Sequence, residues 1–181
     1  MAWTGYSGKP GFSVRRTVVL SLLVAMELAL AAAESLLPPL IPLPGVKLGL
    51  ANIISLTAFA FIPVTQVLMV VALRLALAGL VLGSFLTPVF WISLGGGLFS
   101  FCVMALLVGR NSLSVVGISV AGAAAHNLGQ LAVVSLLVAN AGIFHYLPWL
   151  LLWALPMGLF TGLSAKSAIR ALRNAGINGR I

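Results

Sequence analysis

Aspartate is absent from this chain of 181 residues, and glutamate occurs only at Glu27 and Glu34. Phosphoryl-transfer sites hold magnesium through acidic side chains, and most glycosidases need two carboxylates flanking one bond. A P-loop, a Gly-x-Ser-x-Gly elbow and a His-Glu-x-x-His helix are missing as well. Cys102 is the only thiol, which excludes a disulfide within the chain and any cysteine-rich metal site. The inventory points away from an enzyme acting alone, and no cofactor or metal is expected.

Charge of either sign is scarce. Only 7% of residues are charged, 61% are apolar, and the mean hydropathy is +1.19. A soluble domain carries about 25% charged residues, so the expected solvent for this surface is lipid. A net charge of +8 ordinarily raises the question of nucleic acid. Here Lys9, Arg15 and Arg16 precede the apolar region, while Lys166, Arg170, Arg173 and Arg180 follow it. Basic clusters flanking apolar segments are the pattern of the positive-inside rule. No basic stripe with interleaved aromatics exists, so nucleic acid is not an expected partner.

A spanning helix needs about 20 predominantly apolar residues. Six candidates are present, at residues 17–37, 46–62, 64–85, 89–108, 114–140 and 147–171, the second being the shortest. Pro38, Pro39, Pro42 and Pro44 end the first, Pro63 the second and Pro88 the third, while Asn140-Ala141-Gly142 breaks the fifth. The expected fold is an all-α integral membrane protein of six transmembrane helices over residues 15–173, with short tails at 1–14 and 174–181. The first apolar stretch exceeds the usual signal-peptide core of about 7–15 residues and reads as a retained helix. With both termini on one side, that side holds Lys9, Arg15, Arg16, Arg110, Lys166, Arg170, Arg173 and Arg180, and the other holds Lys47. This asymmetry predicts cytoplasmic termini.

Polar residues deep in these helices are candidates for function. At 1.5 Å of rise per residue, Glu27 and Arg74 each lie about 15 Å into their helices, and His126 and Asn127 about 18 Å into theirs. A charge at such depth costs at least about 2.5–3.5 kcal/mol and faces the bundle interior. Glu27 and Arg74 read either as a structural ion pair or, with His126, Asn127 and Gln130, as the floor of a ligand cavity. On the opposite side from the termini, Glu34 and Lys47 bracket a proline-rich loop, with Asn52 beyond it. Trp91 opens the fourth helix, and His145, Tyr146, Trp149 and Trp153 surround the start of the sixth. Such aromatics serve as an interfacial belt or as the wall of an external site.

Small residues mark close helix approach. Gly117, Ala121, Ala125 and Gly129 recur on the fifth helix, and Gly158 and Gly162 on the sixth, where packing within the bundle is expected. Ala25, Ala29 and Ala33 recur every four residues on the first helix. Glu27 projects about 200° from Ala25, so a buried charge turns the alanines outward.

The run Pro42-Leu43-Pro44-Gly45-Val46-Lys47-Leu48-Gly49-Leu50-Ala51-Asn52-Ile53-Ile54 resembles the first-loop signature of the Gx transporter family, also called heptaprenyl diphosphate synthase component I. Gly83-Ser84-Phe85-Leu86-Thr87-Pro88, Ser93-Leu94-Gly95-Gly96-Gly97, and the stretch from Ser119 through Ala123 to His126-Asn127-Leu128-Gly129-Gln130 carry the same likeness. It extends over about residues 15–173. That family is similar to the substrate-binding S-components of energy-coupling-factor transporters. The resemblance implies a six-helix S-component bundle in a prokaryotic plasma membrane with both termini inside. A small organic molecule then enters from outside, with Lys47, Asn52, Trp91, His126, Asn127, Gln130, His145 and Trp149 as candidate contacts. It also implies that small residues of the first helix, here Ala25, Ala29 and Ala33, meet a membrane T-component driven by two ATPase subunits. Prenyl synthases hold magnesium diphosphate through aspartate-rich motifs, so the synthase name fits only a non-catalytic membrane accessory of a separate chain. The family's link to isoprenoid and quinone metabolism hints at the substrate class.

Overall fold

The computed structural model of the chain describes residues 14–36, 49–109 and 113–177. Among them are six α-helices, one 3-10 helix and no strand. The α-helices are α1 (Val14–Ser35), α2 (Asn52–Phe59), α3 (Val64–Val81), α4 (Pro88–Val108), α5 (Val115–Val138) and α6 (Leu147–Asn174), with the 3-10 helix at Ala141–Tyr146. Helix ends follow local chemistry. Pro63 and Thr87 are extended residues that start α3 and α4, and the Ser114 hydroxyl accepts the Gly117 N–H at the head of α5. Left-handed Ala139 stops α5, and the Asn140 side chain then caps the 3-10 turn by accepting the Gly142 N–H.

Five helices are long and apolar enough to cross a membrane: α1, α3, α4, α5 and α6 with its preceding 3-10 turn. The second predicted span, 46–62, is corrected. Its helical part is the eight-residue α2, and residues 46–48 lie outside the described set. Eight residues reach only about 12 Å, less than half of a hydrocarbon core of about 30 Å. The apolar run misled because burial inside protein and exposure to lipid demand the same side chains. Ser55 through Ala60 are all buried, and α2 touches every other α-helix.

Although short, the α2 segment carries the chain back through the bundle. Gly49 and Leu50 meet Glu34 near the C-terminal end of α1, Ser55 meets Glu27 at mid-length, and Ile62 packs near Leu20 and Val24. Helices α1 and α3 consequently run in the same direction, with Val70 against Leu20 and Val24 and Arg74 against Glu27. Helix α4 returns beside α3, with Phe90 near Gly79 and Leu75 near Gly97. Helices α5 and α6 continue the alternation, so the start of α1 and the end of α6 share one end of the bundle. Arg16, Lys166, Arg170 and Arg173 are exposed toward that end. Its interior is apolar and filled, with Leu56, Phe59, Val67, Phe101, Met104 and Ile118 in one cluster and the Phe59 and Phe101 rings stacked at 5.6 Å.

Glycines set how closely the last three helices approach. A Cβ on Gly129 would sit 2.6 Å from the Gly95 carbonyl oxygen, and one on Gly158 would sit 2.6 Å from Val120 Cα. Gly162 meets Val116 Cα in the same way at 2.9 Å. In lipid, where apolar burial gives helices no reason to associate, such backbone contact is a main source of cohesion. The Ser119 and Thr161 hydroxyls, 2.7 Å apart, add a buried polar tie between α5 and α6. Gly129→Ala is expected to destabilise the protein by about 1–3 kcal/mol through overpacking against backbone. Gly109→Ala, where an added Cβ meets nothing within 4 Å, serves as the control. Thermal melts in detergent that fail to separate the two variants would contradict the close approach.

Candidate functional site

A carboxylate halfway along a membrane helix must find donors inside the bundle. Glu27, fully buried on α1, finds one hydrogen-bond donor in Ser55 and a counter-charge in Arg74. Its Oε2 lies 3.1 Å from Arg74 Nε on α3, and its Oε1 accepts the Ser55 hydroxyl from α2. Three helices are thereby joined at one level. The Arg74 side chain is also buried, and neither its Nε nor its Nη2 makes a hydrogen bond among the described residues, so the contact with Glu27 is one of charge.

Helix α4 makes room for this cluster through three consecutive glycines. The Cβ position of Gly97 lies 3.4 Å from Arg74 Nη2 and 3.0 Å from a Leu75 methyl. Gly96 admits the side chains of Gln130 and His126 from α5, and Gly95 admits the α5 backbone at Gly129. Because successive helical residues turn by about 100°, the three glycines open α4 to two neighbours, α5 at Gly95 and Gly96 and α3 at Gly97.

Glu34, two turns beyond Glu27, is buried and accepts the backbone N–H groups of Gly49 at 2.7 Å and Leu50 at 3.1 Å. The carboxylate thus fixes the turn that starts the α2 segment. Gly49 adopts φ +78°, a left-handed conformation that favours glycine. Asn52 donates from Nδ2 to the Ser100 hydroxyl of α4 at 3.4 Å, and Asn127 donates to the Leu150 carbonyl of α6 at 2.8 Å. Both amides hold helices together.

Between these groups lies a cleft of about 40 Å³, on the far side of the Glu27–Arg74 pair from the apolar core. Arg74, Glu34, His126, Ser84, Ser93 and Gly49 provide its polar wall, and Ala31, Leu75, Ala78 and Leu82 are among its apolar lining. One water needs about 10–15 Å³ measured in this way, so the space suits a few waters or one small functional group. Of the residues read from sequence as substrate contacts, His126 lines the cleft, while Asn52, Asn127 and Gln130 are partly or fully buried in the bundle and do not line it. Trp91, His145 and Trp149 are exposed and do not line it; Trp91 packs edge-on against Phe90, and His145 Nδ1 contacts the Gly142 carbonyl. Lys47 lies outside the described residues. Ala25, Ala29 and Ala33 are all exposed on the face of α1 turned away from Glu27.

Ser55, Ser84, Ser93 and Ser100 escaped the sequence reading. Serine is unremarkable in membrane helices, and the depth of Ser55 depends on the true length of α2. The signal available for Ser93 was its place two residues before the Gly95-Gly96-Gly97 run.

The fold and the buried charges define a multi-pass α-helical membrane protein. The chain belongs to the heptaprenyl diphosphate synthase component I family, whose model matches residues 23–168. That match includes the ion pair and every residue of the cleft. No curated protein and no solved structure matches the chain.

Removing one partner from a buried ion pair costs about 3–5 kcal/mol, because the other charge is stranded. Glu27→Gln and Arg74→Met are each expected to lose folded yield, and the double substitution to regain part of it. Size-exclusion profiles of the three variants provide the readout; strictly additive losses would remove the coupling.

Proposed function

We propose that this protein is the substrate-binding membrane subunit of an energy-coupling-factor type uptake transporter for a small organic molecule. The observation that carries this reading is the cleft beside Arg74, set between α1, α3, α4 and α5 and distinct from the wider groove of about 580 Å³ along α1 and α3. A purely structural bundle has no use for a buried cation with unspent donors beside an opening. The resemblance to S-components supplies the transporter class. The driving subunits in this reading are a membrane T-component and two ATPases, as the resemblance to S-components implies.

In this reading substrate arrives from the end of the bundle opposite the basic residues, and the basic end faces the cytoplasm of a prokaryotic cell. Trp91, His145 and Trp149, exposed toward that end, border the approach, and Lys47 remains a candidate contact from the sequence alone. Asn52, His126, Asn127 and Gln130 lie deeper. A cleft of about 40 Å³ is far smaller than the roughly 300 Å³ at which ligand pockets begin. Admission of a whole substrate therefore requires the bundle to open beside the Gly49–Leu50 turn.

The small size of the cleft also favours a second reading, a non-catalytic membrane accessory that assembles with a prenyl diphosphate synthase or a membrane redox complex. The α1 face separates the two. Its exposed Ala25, Ala29 and Ala33 allow a T-component helix to approach closely. Ala29→Leu is expected to leave folding and ligand retention intact while abolishing co-purification with the T-component and uptake. Collapse of the isolated protein would make the stripe internal packing, unchanged co-purification and uptake would remove it as the T-component contact, and absence of uptake by the unmodified protein would remove the transporter reading.

A further inference from the structure

On the outer flank of the bundle, α1 and α3 part into a groove of about 580 Å³. Its α1 wall includes the exposed small side chains of Ser21 and Ala25, and exposed Met69, Leu73 and Leu77 form the α3 wall. Any groove that faces lipid fills with hydrocarbon. What distinguishes this one is its mouth, which Arg16 lines from the first turn of α1. That residue is exposed and begins the apolar span, at the level where lipid headgroups lie. We propose that the groove binds one anionic phospholipid of the leaflet at the basic end, with its phosphate on Arg16 and one acyl chain between α1 and α3.

Charge, length and volume agree on this occupant. Glu27 and Glu34 are the only acidic residues of the chain, and both are buried and engaged elsewhere, so no acidic side chain competes for Arg16. The aligned peptide dipoles of α1 add positive potential at the same point. Anionic headgroups gather at basic residues that flank membrane spans, and basic pockets between such helices bind them. Along α1 the groove extends from Arg16 to Leu28, roughly 18 Å at 1.5 Å per residue. One leaflet of a hydrocarbon core about 30 Å thick is about 15 Å deep, so the groove suits one acyl chain. A partner's membrane helix needs contact along the whole span instead. Ala29 and Ala33, farther along α1, do not line the groove, so the stripe proposed for a T-component shares only Ala25 with it. The volume lies in the range of about 300–1,000 Å³ usual for small-molecule sites. Lys166, Arg170 and Arg173 are exposed at the same end but do not line the groove, which makes them controls for charge alone.

Phosphatidylglycerol and phosphatidylcholine with identical acyl chains are the probes. Each is titrated into the full chain in a neutral detergent, and native mass spectrometry counts the lipids bound. The first phosphatidylglycerol is expected to bind at least about fivefold more tightly than phosphatidylcholine, the attraction of one basic residue near a membrane surface. Arg16→Gln should remove that preference, whereas Arg170→Gln, an equal loss of charge at the same end, should leave it. Ser21→Phe and Leu73→Trp narrow the groove from α1 and α3, and each is expected to weaken the first site by a similar factor with Arg16 in place. Equal affinity for the two lipids in the unmodified protein overturns the proposal and leaves the groove to a protein helix. Equal losses in Arg16→Gln and Arg170→Gln overturn it too, because attraction is then spread over the basic end. So does unaltered affinity in whichever narrowed variant folds, since the headgroup is then held without the groove. Effective competition by glycerol phosphate would mark a simple anion site, and a dimer lost in Ser21→Phe would mark an interface between two copies; either result overturns the lipid assignment. The titration needs neither substrate nor T-component, so its outcome is independent of the transporter reading.

Discussion

The ion pair between Glu27 and Arg74 is the interaction on which the remaining arrangement depends. Neither charge is tolerable alone at mid-depth in hydrocarbon, so α1 and α3 can be placed only where the two side chains meet. Their 3.1 Å contact sets these helices side by side, pointing the same way. Two neighbouring parallel helices require a return path between them. Segment 49–62 provides it, and Ser55 binds that path to the same carboxylate. Removal of water from three helices at one level thus fixes their mutual register.

Packing on either side of this level differs in kind. Toward the basic end, aliphatic and aromatic side chains of α2 to α6 fill the interior. Toward the opposite end, backbone groups near Glu34 and side chains of α3, α4 and α5 leave a polar opening. The Gly95-Gly96-Gly97 run stands at the junction. It lets α5 approach on one face and leaves room for the Arg74 guanidinium on another. A substitution there would disturb helix packing and the site together, so stability and binding are physically linked on α4.

Much of this was legible in the sequence. Long apolar runs bounded by proline, asparagine and glycine marked α1, α3, α4, α5 and α6 to within a few residues, because lipid imposes a length requirement that few other environments do. Similar depths in neighbouring apolar runs also drew attention to Glu27 and Arg74. The second helix was not legible, since a buried helix and a lipid-facing span share composition and only the partner contacts tell them apart. The cleft was legible in part. His126 and Arg74 stood out as polar groups in apolar helices, whereas Ser84 and Ser93 gave no sign of where they faced. Exposure of Trp91, His145 and Trp149 depends on helix rotation, which hydropathy alone does not set when every face of a helix is apolar.

A membrane bundle held at its centre by one ion pair, with an opening directly beside that pair, has its binding chemistry and its folding tied to the same arginine. The most direct test is a measurement of that contact in lipid. Solid-state NMR on protein carrying a ¹³C-labelled Glu27 carboxyl and ¹⁵N-labelled arginine should show strong dipolar coupling to the Arg74 Nε, as the 3.1 Å separation from Oε2 requires. Absence of that coupling in bilayers, with the protein otherwise folded, would contradict the account at its centre.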